Sequence, residues 1–224
     1  MTLGSIERPS SDQYVGKRKL LLVPLIAVLP DEQAFQPLVS AYWSQVTEQV
    51  QRLESGLGSI LHIFHEGVVV DGTETLDMLE QGSPDEFGFL GAVCERGAQM
   101  KGTEDTEALL ETLDIQRCLM VAQASAKVAK QLYGWYTDAL KRRYAFMAKR
   151  IDEVLGPAEV GLLVIGQDHR IQFSDDMQVF YVAPPALNDI ERWMRDRSEP
   201  ASPLEEEHVG DGQETSGDSF TGEP

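Results

Sequence analysis

Three short apolar runs constrain the fold of this chain more than any other feature. They cover Leu20–Val28, Ser59–Phe64 and Val160–Ile165. A strand with one face in water alternates between polar and apolar residues, whereas unbroken apolar runs of this length are typical of strands buried on both faces. Such strands occur mainly in parallel sheets that carry helices on both sides. The runs therefore predict a sheet in the interior of the protein.

Segments with helical periodicity separate these runs. Apolar residues recur every three or four positions between Phe35 and Leu53, and a longer stripe without proline extends from Val128 to Leu155. Strands that alternate with helices indicate an α/β domain. We predict a mixed, mainly parallel sheet of about four to six strands, flanked by helices, with a long helix in the middle of the chain.

One connection in the predicted sheet is short. About ten residues separate Ile165 from Asp176, which precedes a further predicted strand at Val179–Val182, and parallel strands usually need a crossover of a dozen residues or more. We therefore expect an antiparallel pair in this region and a short strand at Arg170–Phe173. Pro24 cannot donate to a strand ladder, so the first strand either lies at an edge or breaks at this proline.

Composition divides the chain into a folded body and two polar ends. Residues 1–16 show little periodicity and are predicted to be a flexible N-terminal arm. Residues 17–197 are predicted to form one α/β domain with a helical lobe at about 73–156. The whole chain has 42% hydrophobic residues, which is ordinary for a soluble protein. Residues 198–224, named here the acidic tail, hold eight acidic residues and no lysine or arginine. This composition predicts disorder.

The distribution of charge bears on the partners. A formal charge of −18 makes nucleic acid an unlikely partner. Between Lys127 and Arg150 the sign reverses, with seven basic residues against Asp138 alone. Three interpretations are open: a solvated helix face with internal ion pairs, a docking face for an acidic protein, including the protein's own acidic tail, or a surface for RNA or phosphate. The candidate interaction residues are Lys141, Arg142, Arg143, Lys149 and Arg150.

The compartment is predicted from the cysteines and from the absence of a leader. Cys94 and Cys118 are far apart and form no Cys-x-x-Cys pair, which is typical of free thiols in the cytoplasm. The basic residues of Lys17–Lys19 and the apolar run after them resemble a signal peptide. The run has no cleavage site after it and is shorter than the ~20 residues of a membrane helix. We therefore predict a cytoplasmic protein with no membrane contact.

Four titratable residues follow two of the predicted strands. His65 and Glu66 come after the second apolar run, and Asp168 and His169 come after the third. If these strands are parallel neighbours, the four residues meet at the edge where open α/β sheets bind ligands. A carboxylate beside an imidazole fixes its tautomer and raises its basicity, as general-base catalysis and metal binding require. The same residues also fit simple polar turns.

The motifs exclude some enzyme families and leave two functions open. The chain contains no G-x-x-x-x-G-K, G-x-G-x-x-G or G-x-S-x-G sequence, so the families with these signatures gain no support. The first function is a binding or regulatory module that acts through protein contacts of the helical lobe or the acidic tail. The alternative is a small-molecule hydrolase, with or without a metal, in which His65 or His169 is the base and Glu66 or Asp168 orients it. No cofactor and no oligomeric state follow from the residues.

Overall fold

A computed structural model describes residues 16–198 of the protein, except residues 28, 30 and 31. Its strands are β1 (Arg18–Pro24), β2 (Ile60–His65), β3 (Gln99–Lys101), β4 (Val160–Ile165) and β5 (Met177–Tyr181). Its helices are α1 (Gln36–Leu57), α2 (Leu76–Gly82), α3 (Pro84–Glu95), α4 (Thr106–Met120), α5 (Ala126–Val154) and α6 (Pro185–Ser198). Apart from Gly16 and Ser198, the predicted flexible N-terminal arm and the acidic tail lie outside the described residues.

The five strands form one sheet in the order β3-β2-β4-β1-β5, and every pairing between them is parallel. The predicted α/β class, the number of strands and the long helix in the middle of the chain are confirmed. The most apolar strands are central, because β4 lies between β2 and β1, and β1 lies between β4 and β5. The sequence allowed the first strand either to lie at an edge of the sheet or to break at Pro24. The structure shows the second, since β1 ends at this residue.

Each face of the sheet is covered by helices, and two apolar clusters result. Leu21 and Val23 point to the face covered by α1, α3 and α6, where they pack in a cluster with Tyr42. Leu20 and Leu22 point to the opposite face and pack with residues of α5. Because successive side chains of a strand alternate between faces, burial on both sides requires the continuous apolar run that the sequence shows.

The expected antiparallel pair is absent from the described strands, and residues 170–173 form no strand. The eleven residues between Ile165 and Met177 instead return to the start of β5 without a helix. A helix of this length rises only ~16 Å. An extended segment spans ~36 Å, enough to recross a strand of ~20 Å and two strand spacings. Ile171 and Phe173 of this connection pack in the α5 cluster, so the extended segment also covers the sheet.

The predicted long apolar stripe, Val128–Leu155, forms α5 and the residue after it, and α4 packs beside α5. Ser125 caps α5, and its Oγ accepts a hydrogen bond from the backbone of Val128 at 3.4 Å. With 29 residues, α5 is ~43 Å long, while the longest strand has 7 residues and spans ~23 Å. Met147 and Ile151 pack on the sheet, and the first half of α5 extends past it.

The part of the two helices that extends past the sheet is named here the arm, residues 113–138. No residue of the arm is buried, whereas Thr112 and Ala139 at its two ends are. Because α5 runs towards the start of β4, the arm projects from the edge of the sheet where the strands end. Within the described residues, no helix has both the length and the apolar character that crossing a membrane requires.

Candidate functional site

The two pairs of predicted site residues lie at the same edge of the sheet. β2 and β4 are parallel neighbours, and His65 is in register with Val164 near the end of β4. Asp168 and His169 follow β4 in the connection to β5. His65 and His169 therefore follow parallel neighbouring strands at one edge of the sheet. What these residues do depends on the directions of their side chains.

His65 and Glu66 point to opposite faces of the sheet. His65 Nε2 lies 2.8 Å from an oxygen of Glu86 on α3. Glu66 lies on the α5 side, where its Oε1 accepts a hydrogen bond from Arg143 Nη2 at 3.0 Å. Adjacent residues at the end of a strand alternate in direction, so these two side chains do not act on one ligand. Glu66 therefore does not orient the His65 ring through its carboxylate.

His65 is a buried structural residue. Its side chain is 5% exposed, its Nε2 contacts Glu86, and its Nδ1 lies 2.5 Å from the backbone oxygen of Glu66. Both ring nitrogens are thus engaged, and neither has a free lone pair for a substrate proton. Glu86 was not among the site residues predicted from the sequence. Its position carries a signal, because Glu86, Phe89, Leu90 and Val93 form the buried stripe of α3 at helical spacing.

Arg143 is the centre of a buried ion cluster at this edge. Its Nε donates to both carboxylate oxygens of Glu104, at 2.8 and 3.0 Å, and its Nη2 donates to Glu104 and Glu66. Glu66 Oε2 also accepts a hydrogen bond from the backbone of Gly166 at 2.8 Å. Burial opposes the charge of Arg143, but the hydrogen bonds to Glu104 and the two negative charges outweigh it and raise the pKa of the arginine. The cluster joins α5 to the ends of β2 and β4 and to the segment after β3.

The other four residues of the predicted interaction face also have partners within the chain. Arg143 is 6% exposed and is not available to a partner. The remaining ion pairs are Arg142–Glu111, Lys141–Asp138 at 3.8 Å, Lys149–Glu153 at 3.7 Å and Arg150–Asp71 at 3.0 Å. Internal pairing neutralises most of the basic residues between Lys127 and Arg150. The geometry favours the interpretation of a solvated helix face.

A cavity of about 900 Å³ lies between α5 and the connection that follows β4, and it is named here the groove. Its volume is within the usual range of ligand sites, about 300–1,000 Å³. The residues of α5 that line it include three tyrosines and a lysine: Tyr133, Tyr136, Tyr144 and Lys141. Asp168, His169 and Arg170 of the connection also line it. Asp168 and His169 therefore face a shared space that His65 does not reach.

His169 has the hydrogen-bonding pattern of a donor. Its Nδ1 accepts a hydrogen bond from the backbone of Ile171 at 3.3 Å. Burial lowers the pKa of His169, and the charge of Glu66 opposes this shift only in part. In a neutral ring whose Nδ1 accepts, Nε2 carries the proton and donates. Within the described residues, Asp168 makes no hydrogen bond or ion pair, so no carboxylate orients His169 as a base.

The described residues contain no cluster of three or more histidine, cysteine or carboxylate side chains that would hold a metal ion. Cys94 and Cys118 are free thiols. No family model, no curated protein and no solved structure matches the chain.

Proposed function

We propose that this protein is a binding module that works as a pair of identical chains joined through their arms. The observation that carries the proposal is an apolar seam on the arm. Leu113 and Met120 are seven residues apart on α4, and Val128 and Trp135 are seven residues apart on α5. Residues at this spacing lie on one face of a helix. Each of the two helices of the arm therefore carries its own apolar line.

The seam is exposed to water in the single chain. Met120 is 82% exposed and Trp135 is 52% exposed, and Val121 beside Met120 is also exposed. Each square ångström of apolar surface removed from water contributes roughly 25 cal/mol. Exposed apolar residues that share one face of a helix mark an interaction site more often than scattered ones do.

A second copy of the chain is the partner that fits this surface best. The protein carries −18 charges, but the arm holds three basic and two acidic residues and has a net charge of +1. Two copies that approach through their arms therefore avoid the repulsion between their acidic bodies. A twofold interface is self-complementary, and two helical hairpins with apolar seams associate as a four-helix bundle.

The test is the mass of the intact protein in solution. Sedimentation velocity at ~1–100 μM is expected to show a species of twice the 24.9 kDa chain mass. Val128→Glu and Trp135→Glu each place a charge in the seam and are expected to weaken the dimer at least tenfold. The matched control is Val70→Glu, because Val70 is 53% exposed but lies outside the arm.

A protein that is monomeric over the whole concentration range would overturn the proposal. Equal weakening by Val70→Glu and the two arm variants would also overturn it, since the effect would then come from added charge alone. Circular dichroism shows whether each variant is folded. The hydrolase alternative is not proposed, because both nitrogens of His65 are engaged and His169 has no orienting carboxylate among the described residues.

A further inference from the structure

The groove presents mainly hydrogen-bond donors and aromatic rings. Lys141 and Arg170 contribute cationic groups, and the neutral ring of His169 contributes its Nε2–H. Burial, and then the charge of Glu66, raise the pKa of Tyr144, so its hydroxyl stays protonated and is able to donate. Among the described residues, Asp168 is the one acidic residue that lines the groove. This set of groups is suited to carboxylates that alternate with apolar side chains.

One cation that lines the groove, and two that precede it on α5, have no partner in the described part of the chain. Arg170 is exposed and makes no ion pair or hydrogen bond with those residues. The same is true of Lys127 and Lys130, which precede the groove tyrosines on α5. Most other basic residues of α5 are already paired, as described above. These unpaired cations therefore give the surface beside the groove a positive potential that attracts an anionic chain.

We infer that the groove binds residues 199–224 of the protein's own acidic tail. This segment has eight acidic residues and no lysine or arginine, with Leu204, Val209 and Phe220 among them. Its carboxylates match the donors of the groove, and its apolar side chains match the tyrosine faces. The inference does not rest on the pairing of two chains, because the tail and the groove belong to one chain.

The tail starts within reach of the groove. Gln167, which precedes the groove residue Asp168, donates a hydrogen bond from its side chain to Glu191 of α6 at 2.8 Å. Ser198 follows Glu191 by seven residues, or ~10 Å of helix. The 26 residues that come after it span up to ~90 Å when extended. A tethered segment has an effective concentration of the order of millimolar, so weak contacts suffice for occupancy.

Photo-crosslinking in the intact chain tests the inference. Replacing Tyr133 with p-benzoylphenylalanine puts the crosslinker in the groove, and irradiation is expected to join it to peptides from residues 199–224. The control carries the same crosslinker at Phe146, an exposed residue of α5 that lies beside Glu111 and outside the groove, where no tail crosslink is expected. Mass spectrometry identifies the joined peptides.

Charge reversal tests the chemistry of the contact. The double variant Lys141→Glu with Arg170→Glu is expected to reduce the yield of tail crosslinks at least fivefold. The matched variant Lys149→Glu with Arg192→Glu changes the charge equally outside the groove and is expected to leave the yield unchanged. Both side chains of the matched pair are exposed, at 75% and 65%.

Three results would overturn the inference. They are an absence of tail crosslinks, equal yields from the two crosslinker positions, and a yield that the groove charges do not affect. A fourth such result would come from mixing ¹⁵N-labelled with unlabelled protein. Crosslinks between a labelled and an unlabelled chain would show that the groove binds the tail of another chain. Crosslinks within a chain are expected even if the protein is monomeric, so failure of the arm proposal and failure of this one are distinguishable.

Discussion

Arg143→Met is the substitution whose effect the structure predicts most directly. Methionine retains an unbranched apolar stem but removes the guanidinium that joins Glu104 and Glu66 to α5. The carboxylate of Glu104 is 0% exposed and that of Glu66 is 21% exposed. Two negative charges would then remain at a buried site without their counter-ion, and this cost determines the size of the effect.

The expected loss is about 3–5 kcal/mol of unfolding free energy, the usual cost of leaving one member of a buried ion pair unpaired. After the substitution Glu104 keeps a hydrogen bond from the backbone of Gly67, at 3.2 Å, and Glu66 keeps the one from Gly166, at 2.8 Å. These two bonds and the partial exposure of Glu66 favour the lower half of the range. For a domain of this size the midpoint of thermal unfolding falls by roughly 6–20 °C.

Urea unfolding followed by circular dichroism measures the loss, and two further variants interpret it. Arg142→Met removes one exposed ion pair, with Glu111, and is expected to cost at most about 1 kcal/mol. The double variant Arg143→Met with Glu104→Met removes the arginine together with its most buried partner. It is expected to be more stable than Arg143→Met alone.

Two results would refute the reasoning about this cluster. One is a loss below about 1 kcal/mol for Arg143→Met, which is the size expected of a surface pair. The other is additivity, in which the double variant loses the sum of the two single losses. Residues that share one ion cluster are expected to show coupling of about 0.5–3 kcal/mol.

Other predictions concern pH and backbone packing. Because the pKa of His169 in the folded protein lies below its ordinary 6.5, the unfolded chain binds a proton at this residue first as the pH falls. The contribution of the neutral His169 ring to the unfolding free energy is therefore present above pH 6.5. It is lost as the pH falls through the pKa of His169 in the folded protein. Between pH 7 and 5 the unfolding free energy should therefore fall more steeply than in His169→Gln; parallel curves from urea titrations would contradict this. A Cβ at Gly102 would lie 2.6 Å from the backbone oxygen of Val69, so Gly102→Ala should cost about 1–3 kcal/mol. Gly134→Ala meets nothing within 4 Å in α5 and should gain about 0.5–1 kcal/mol; thermal unfolding that shows the same sign for both would contradict the packing argument.

Much of the fold is readable from the sequence because it depends on local pattern. The continuous apolar runs identify β1, β2 and β4 as strands buried on both faces, and helical periodicity identifies α1 and α5. Both patterns indicate which side chains of a segment face the protein interior, and each extends over enough residues to be recognised. The shared edge of His65 and His169 follows from the same reasoning, since parallel strands end on one side.

Short or irregular segments are not readable in this way. β3 has three residues and no pattern of its own, and it exists because β2 offers a free edge. The connection from β4 to β5 contains too few residues for a helix, and the sequence rule for crossovers therefore indicated an antiparallel pair. The segment stays extended and is stabilised by packing Ile171 and Phe173 on the α5 cluster, which is a tertiary contact.

The partners of the buried charged residues depend on the tertiary structure. The sequence shows His65 next to Glu66 and a basic stretch in α5. The fold instead pairs His65 with Glu86, 21 positions away, and Arg143 with Glu66, 77 positions away. Strand alternation turns neighbours in sequence to opposite faces, while packing brings distant carboxylates within hydrogen-bond range. Local pattern therefore determined which segments are buried, and only their assembly decided which buried charges meet, because these ion pairs form across space between elements that no sequence spacing connects.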